Sequence, residues 1–359
     1  MRIALLTYST KPRGGVVHTL ALAEALAAAG ADVTVVTLGR GGDTAFFRPV
    51  DPSVRVLVVP FAHRDGEGVG ERIRRSIRTL RAGFDPAGYD IVHAEDCISA
   101  NAVDGAIRTV HHLDQFTTPE LVECHERAIV EPRALVTVSA SVAAEVASGW
   151  GRDATVIPNG VDSAAFERAA GPAGSGDRAR WRDELGEYVL AVGGIEPRKG
   201  TIELLEAFGR VRSRHPALSL VIAGGETLFD YSDYRNAFDT RAAELGIAVR
   251  VLGTVDQERM PSLVAAASIM AFVSTKEGFG LAAMEALAAG TPVVARDLPV
   301  LREVFGDAVG YATDPASIAD RIESGLAGRA PERGRQLARS YTWAAAAAAH
   351  LALYRTLSS

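Results

Sequence analysis

Short valine- and isoleucine-rich runs alternate with alanine- and leucine-rich stretches along almost the whole chain, and the alternation occurs twice. The apolar runs are residues 2–8, 32–38, 54–59, 90–94, 108–111, 135–138 and 155–157, and then, after a break, 188–192, 218–223, 248–252, 269–273 and 292–295. Near-continuous apolar runs without polar alternation predict strands buried on both faces, hence parallel sheets covered by helices. Repeated twice, the pattern predicts an α/β chain of two doubly wound, Rossmann-like halves. The length of 359 residues suits two cores of ordinary size. The break at 169–177, rich in Gly, Ala, Pro and Ser, reads as a linker or surface loop. The expected division is therefore an N-terminal domain over 1–166, a second over 180–341, and a helical tail over 342–359 with no strand after it.

Composition removes several classes of function. A net charge of −6 argues against nucleic acid as an obligate partner, which would demand a basic face. No apolar run approaches the roughly 18 residues needed to cross a bilayer, and residues 1–8 read as an immediate strand with no signal-peptide pattern. The two cysteines, Cys97 and Cys124, are too few for a disulfide framework and lack metal-ligand spacing. A cytoplasmic protein with reduced thiols is the expectation. Lysine occurs at only three positions, Lys11, Lys199 and Lys276, in a chain otherwise served by arginine.

One of those lysines falls in the richest segment of the second half. The run 188–192 ends in Gly193 and Gly194, and Glu196-Pro197-Arg198-Lys199-Gly200 precedes a helix. Arg198 and Lys199 thus stand at the C-terminal edge of a strand, beside a helix N-terminus, where open α/β sheets bind ligands. Cations fixed there can neutralise charge developing on a departing diphosphate. Further on, the run 269–273 leads into Lys276-Glu277-Gly278-Phe279-Gly280-Leu281 and then a helix carrying Glu285. Glycines just before a helix leave backbone N–H groups open to an anion. Glu277 and Glu285, with seven residues between them, can face one ligand, the second accepting ribose hydroxyls as acidic residues do in dinucleotide sites.

Residues 192–200, the block 274–285 with its Glu-x7-Glu spacing, residues 291–295 and Val156-Ile157-Pro158-Asn159-Gly160-Val161-Asp162 resemble, in order, the signature blocks of retaining family-4 glycosyltransferases. The resemblance implies a GT-B fold, two Rossmann-like domains facing each other across a cleft, with the final helix returning to the first domain. It implies a nucleotide-sugar donor, most commonly a UDP-sugar, transferred with retention and without an essential metal or other cofactor. The sequence holds no Asp-x-Asp pair, the motif a metal-dependent transferase would use on the diphosphate. By resemblance, Glu277 lies beside the donor sugar, the backbone around Gly278, Phe279, Gly280 and Leu281 binds hydroxyls and phosphate, Glu285 takes the ribose, and Lys199 the diphosphate. One departure stands out: the family's arginine after the first glycine of the 192–200 block is Gly194 here, which leaves Arg198 to supply that charge.

In the first half, Lys11-Pro12-Arg13-Gly14-Gly15 precedes a helix, and Gly14 and Gly15 would let a ligand approach the backbone closely. A dinucleotide fold would want G-x-G-x-x-G there and an acidic end to the second strand, and the chain has neither, which disfavours a dehydrogenase. In family-4 enzymes the matching loop closes on the donor phosphate. His111 and His112 stand where a strand reaches the same edge; by resemblance His111 matches the histidine near the donor sugar, with a hydroxyl contact or charge stabilisation as its role. The choice between the two histidines stays open at this point. No metal site is expected, because His111, His112 and Asp114 would project to opposite strand faces. Residues 70–83 carry five arginines around Ile73, Ile77 and Leu80, and offer a peripheral contact with anionic lipid at an inner membrane face. The expected activity is hexosyl transfer to a small-molecule or lipid-linked acceptor. Its rivals are a catalytically weak sugar-nucleotide binding protein and a GT-B-type nucleotide-sugar epimerase.

Overall fold

The computed structural model of the protein describes residues 1–114, 116, 118–225, 231–328 and 332–358. The chain divides into two compact units, Met1–Gly160 together with Trp343–Ser359, and Val161–Thr342.

The first unit is built on seven strands: β1 (Arg2–Leu6), β2 (Asp32–Arg40), β3 (Arg55–Phe61), β4 (Ile91–Ala94), β5 (Ile107–Val110), β6 (Ala134–Thr137) and β7 (Thr155–Val156). They lie in the order β3-β2-β1-β4-β5-β6-β7, and every pairing is parallel. Successive side chains of β1 serve opposite faces of the sheet, as strand geometry requires. Ile3 and Leu5 pack with Leu20, Leu22 and Leu26 of the helix Gly14–Ala28 and with Ala347 and Tyr354 of the last helix, Trp343–Ser358. Ala4 and Leu6 pack with Leu80 and Phe84 on the other side. With both faces buried, the strand has no use for polar alternation, which explains its unbroken apolar run.

The second unit holds β8 (Tyr188–Val192), β9 (Ser219–Ala223), β10 (Arg250–Gly253), β11 (Ile269–Phe272), β12 (Val293–Arg296) and β13 (Gly310–Ala312), again all parallel, in the order β10-β9-β8-β11-β12-β13. Its core joins Val189, Leu204, Phe208, Leu220, Phe238 and Ile322. In each sheet the strand order reverses once, between β1 and β4 and between β8 and β11. Ligands of doubly wound sheets bind beyond the carboxyl ends of the strands at such a reversal.

Two expectations are corrected. The segment 169–177 is no slack linker: the helix Ser163–Ala170, a single 3-10 turn at Pro172–Gly174 and the helix Ser175–Leu185 run through it. Its small residues serve close packing, since a Cβ at Gly174 would lie 2.1 Å from the Ala169 carbonyl oxygen. The whole of 161–179 accordingly belongs to the second unit. The sequence reading also passed over β13, a three-residue edge strand of Gly, Tyr and Ala with no β-branched run to announce it.

Candidate functional site

At the reversal of the second sheet, the loops leaving β8 and β11 are tied together before any ligand arrives. The Thr275 N–H donates to the Arg198 carbonyl at 2.8 Å. Lys199 Nζ donates to Glu277 Oε1 at 2.7 Å, and Arg198 Nη1 reaches the same oxygen at 3.3 Å and the Lys276 carbonyl at 3.3 Å. Arg198 Nη2 also pairs with Glu196 Oε1 at 3.0 Å. One carboxylate therefore sits against two cations, all three part-buried. A small hollow beside them is lined by Val192, Gly193, Gly194, Lys199, Thr201 and Ser274. The strand ends approach here more closely than a side chain allows, since a Cβ on Gly224 would lie 2.2 Å from the Gly193 carbonyl group.

The helix Leu281–Ala289 starts from Gly280, whose φ of +97° only glycine adopts without strain. No side chain caps it, so its first N–H groups face outward with the positive end of the helix dipole. The Phe279 ring is buried and packs edge-on against Tyr341 at 5.3 Å, so only its backbone could meet a ligand. Glu285 lies on the second turn, half-buried. Desolvation, with the charge of Asp162 adding to it, pushes its carboxyl up to about 8. Sequence reasoning did not single out Asp162; its side chain caps the helix Ser163–Ala170 by accepting from the Ala165 N–H at 3.0 Å.

A buried arginine, also missed, holds this arrangement from behind. Arg296 Nε and Nη2 donate to the Val273 carbonyl at 3.2 and 3.1 Å, Nη1 donates to the Thr313 carbonyl at 2.7 Å, and Nη2 also meets Glu203. It thereby fixes the end of β11 against the helix Thr201–Arg212. An Arg296→Met variant strands two backbone carbonyls and should lose about 2–4 kcal/mol. The melting transition of the second unit, followed by calorimetry, should drop by roughly 5–10 °C.

At the reversal of the first sheet, Gly14 and Gly15 open the helix Gly14–Ala28, which again lacks a side-chain cap. Gly15 lies against the His111 ring, where a Cβ would stand 3.6 Å away, in ordinary contact. His111 Nε2 lies 3.2 Å from Glu95 Oε2, whereas His112 turns to Asp114, at 2.9 Å. That separates the two histidines: His111 faces the glycine loop and His112 does not. Burial, then the charges of His112 and Arg108, lower His111 to about 3. That favours a neutral ring near pH 7, which can give or take a hydrogen bond through its nitrogens. Glu95, at the end of β4, and His18, on the helix Gly14–Ala28, complete this cluster and went unrecognised in the sequence.

Residues 70–83 form part of the helix Val69–Gly83, but its apolar stripe is already used. Ile73 and Leu80 are buried, and Arg75 is buried in a two-point pair with Glu67 at 2.5 and 2.7 Å while stacking on Phe61. Arg74 and Arg81 pair with Glu120 and Asp104. Of the three apolar residues, Ile73 and Leu80 serve the protein's own core and Ile77 is only half-buried, so little apolar surface is left for insertion among lipid chains. Among the described residues no helix is long and apolar enough to cross a membrane.

Comparison with known proteins places this geometry. Residues 12–165 match the model of Glycosyltransferase Family 4, and residues 177–340 match that of Glycosyl transferases group 1. The phosphatidyl-myo-inositol mannosyltransferase of Mycolicibacterium smegmatis is 28% identical over 398 residues, covering 100% of this chain and 94% of the relative. Among solved structures, the sucrose-phosphate synthase of Thermosynechococcus elongatus superposes with a TM-score of 0.79 at 22% identity, covering 99% of both chains. Anabaena HepE in complex with UDP-glucose superposes with a TM-score of 0.75 at 20% identity, over 98% of this chain and 99% of that one. Two family models in tandem, over two parallel sheets of the matching topology, identify the chain as a family-4 glycosyltransferase with the GT-B fold.

Proposed function

We propose that the protein transfers a sugar from a nucleotide-sugar donor, a UDP-sugar, to a small-molecule or lipid-linked acceptor hydroxyl, with retention of anomeric configuration and no metal on the diphosphate. The observation that carries this reading is the pairing of Lys199 and Arg198 with Glu277 beside an uncapped helix N-terminus, at the reversal of the second sheet. Two fixed cations and a row of open N–H groups suit a diphosphate without a bridging ion. The solved neighbour bound to UDP-glucose supports a uridine donor, and the mannosyltransferase relative named for phosphatidyl-myo-inositol supports a lipid-linked acceptor. In the first unit, an apolar hollow of about 690 Å³ lined by Phe46, Pro49, Val58 and Phe61 offers room for the acceptor.

In this reaction the bond from the anomeric carbon to the acceptor oxygen forms as the bond to the diphosphate breaks. The acceptor's proton passes to the departing phosphate oxygen, so no protein base is required. Lys199 and the helix N-terminus stabilise the diphosphate as its charge grows, while neutral His111 and Glu277 serve sugar hydroxyls as donor and acceptor. Glu285 accepts the ribose hydroxyls. The test is thermal unfolding with UDP, GDP, ADP and dTDP and then the corresponding sugars, without added metal. A ligand at a hundred times its dissociation constant adds about 2.7 kcal/mol, a shift of several degrees. UDP should stand out, and its sugars should then yield UDP plus a glycoside. A shift with no nucleotide would overturn the reading, and an epimerised nucleotide sugar without glycoside would replace it.

A further inference from the structure

The cluster around His111 has a feature that sugar binding does not use. His18 Nε2, Glu95 Oε2 and His111 Nε2 lie within 4.8 Å of one another, and among the described residues this is the single group of three such ligands close enough to share an ion. His18 and Glu95 are almost fully buried, at 1% and 2% exposure, and His111 keeps 17% of its side chain exposed. Asn159 Oδ1 accepts a hydrogen bond from His18 Nδ1 at 2.8 Å. With the proton on Nδ1, His18 Nε2 presents a bare lone pair to the carboxylate oxygen 3.5 Å away. Neither His18 Nε2 nor Glu95 Oε1 has a hydrogen-bond partner. Glu95 Oε2, the oxygen His18 Nε2 faces, is also the one that His111 Nε2 approaches, so one carboxylate oxygen stands between two imidazole nitrogens in a buried pocket.

A divalent ion could accept a lone pair from all three groups at once. Donor atoms about 2.0–2.2 Å from a tetrahedral zinc ion lie roughly 3.3–3.6 Å apart. The carboxylate oxygen stands 3.5 Å from His18 Nε2 and 3.2 Å from His111 Nε2, close to that spacing, and the two histidines, within 4.8 Å of each other, would need only a small ring movement to complete it. The Asn159 contact is also of the kind that orients a metal-bound histidine, fixing its tautomer from the far nitrogen. Trp343 packs edge-on against the His18 ring at 5.3 Å and holds its position. His111, the most exposed of the three, leaves the cluster reachable from its rim.

We propose that His18, Glu95 and His111 form a binding site for a first-row divalent cation of the zinc class, with two imidazoles and one carboxylate as protein ligands and one open position. All three ligands belong to the first unit, and His111 is also the residue of the proposed sugar contact. Occupancy therefore withdraws His111 Nε2 from the donor sugar, and zinc slows transfer.

The test uses the full chain, stripped with a chelator and titrated calorimetrically with zinc chloride, with no donor present. A parallel titration with cobalt(II) follows the visible absorption that marks tetrahedral nitrogen and oxygen coordination. One equivalent should bind, with intense cobalt bands. Glu95→Gln and His18→Gln should each abolish stoichiometric binding, and Asn159→Ala should weaken it by about 10–100-fold. Far-UV circular dichroism checks that each stripped variant is folded. If a buried substitution unfolds the protein, His111→Gln at the more exposed rim replaces it with the same expected loss. A His63→Ala control removes the exposed His63–Asp65 pair, 3.2 Å apart, and should change nothing. No stoichiometric binding, or binding that survives Glu95→Gln and His111→Gln, overturns the proposal. Because no donor enters these titrations, either result leaves the transferase reading to its own assay.

Discussion

Replacing Lys199 by methionine is expected to lower kcat/KM for sugar transfer by about 10²–10³-fold, with most of the loss in kcat. A charge aimed at the departing diphosphate strengthens its interaction as the bond breaks, so its removal raises the barrier more than it weakens ground-state binding. The structure pairs this ammonium with Glu277 Oε1 at 2.7 Å, and Arg198 Nη1 holds the same oxygen from 3.3 Å. Losing Lys199 therefore leaves the carboxylate with a cation, and the variant should melt within a few degrees of the wild type. Arg198→Met should cost less than Lys199→Met, because the guanidinium is already spread over Glu196, Glu277 and the Lys276 carbonyl. Initial rates of nucleoside diphosphate release decide the matter. Equal rates for Lys199→Met and wild type would remove the lysine from the leaving-group site. A larger loss at Arg198 would mean that the charge absent at Gly194 is supplied from the turn.

The sequence shows the parts of this arrangement that depend on local chemistry. The β8 and β11 runs are unbroken because both faces of each strand are buried, and the glycines after them mark where backbone must turn or approach closely. Lys199, Glu277 and Glu285 are visible because they follow those turns. What escapes is whatever depends on distant partners. His18 sits on an alanine- and leucine-rich helix, where a lone histidine carries no signal, and its meaning comes from Glu95 and Asn159, far away in sequence. Arg296 reads as the charged end of a strand, yet its guanidinium is buried against carbonyls from β11 and the loop after β13. The arginines of 70–83 show the converse limit. Helical spacing shows that Ile73 and Leu80 share a face, but not whether that face meets lipid or the protein's own core. The segment 169–177 is misread because small residues mark tight packing as readily as slack.

Nucleotide affinity is expected to fall as the pH drops below about 8, through Glu285. Burial, reinforced by Asp162, raises this carboxyl to about 8 in the free protein, so near neutrality it is largely protonated. Accepting two ribose hydroxyls requires the carboxylate, so binding must expel a proton wherever the free group carries one. If the bound form stays ionised throughout, the apparent dissociation constant rises by roughly fifty-fold between about pH 8 and about pH 6. Calorimetry in two buffers of different ionisation enthalpy should then show nearly one proton released at about pH 6 and far fewer at about pH 9. The same shift acts on the empty protein with a sign that can be worked out separately. A carboxyl whose folded value lies above its unfolded value near 4.3 destabilises the fold as it ionises. That cost is absent below the unfolded value and complete above the folded one. Glu285→Gln removes it, so the apo variant should melt higher than wild type at about pH 9 and equally at about pH 4. The same substitution should weaken nucleotide binding by about 10–100-fold and flatten its pH dependence. A variant both more stable without ligand and poorer at binding it is the signature of a carboxylate kept for the ribose at the fold's expense. Proton release unchanged in Glu285→Gln would assign the titration, and the ribose, to another group.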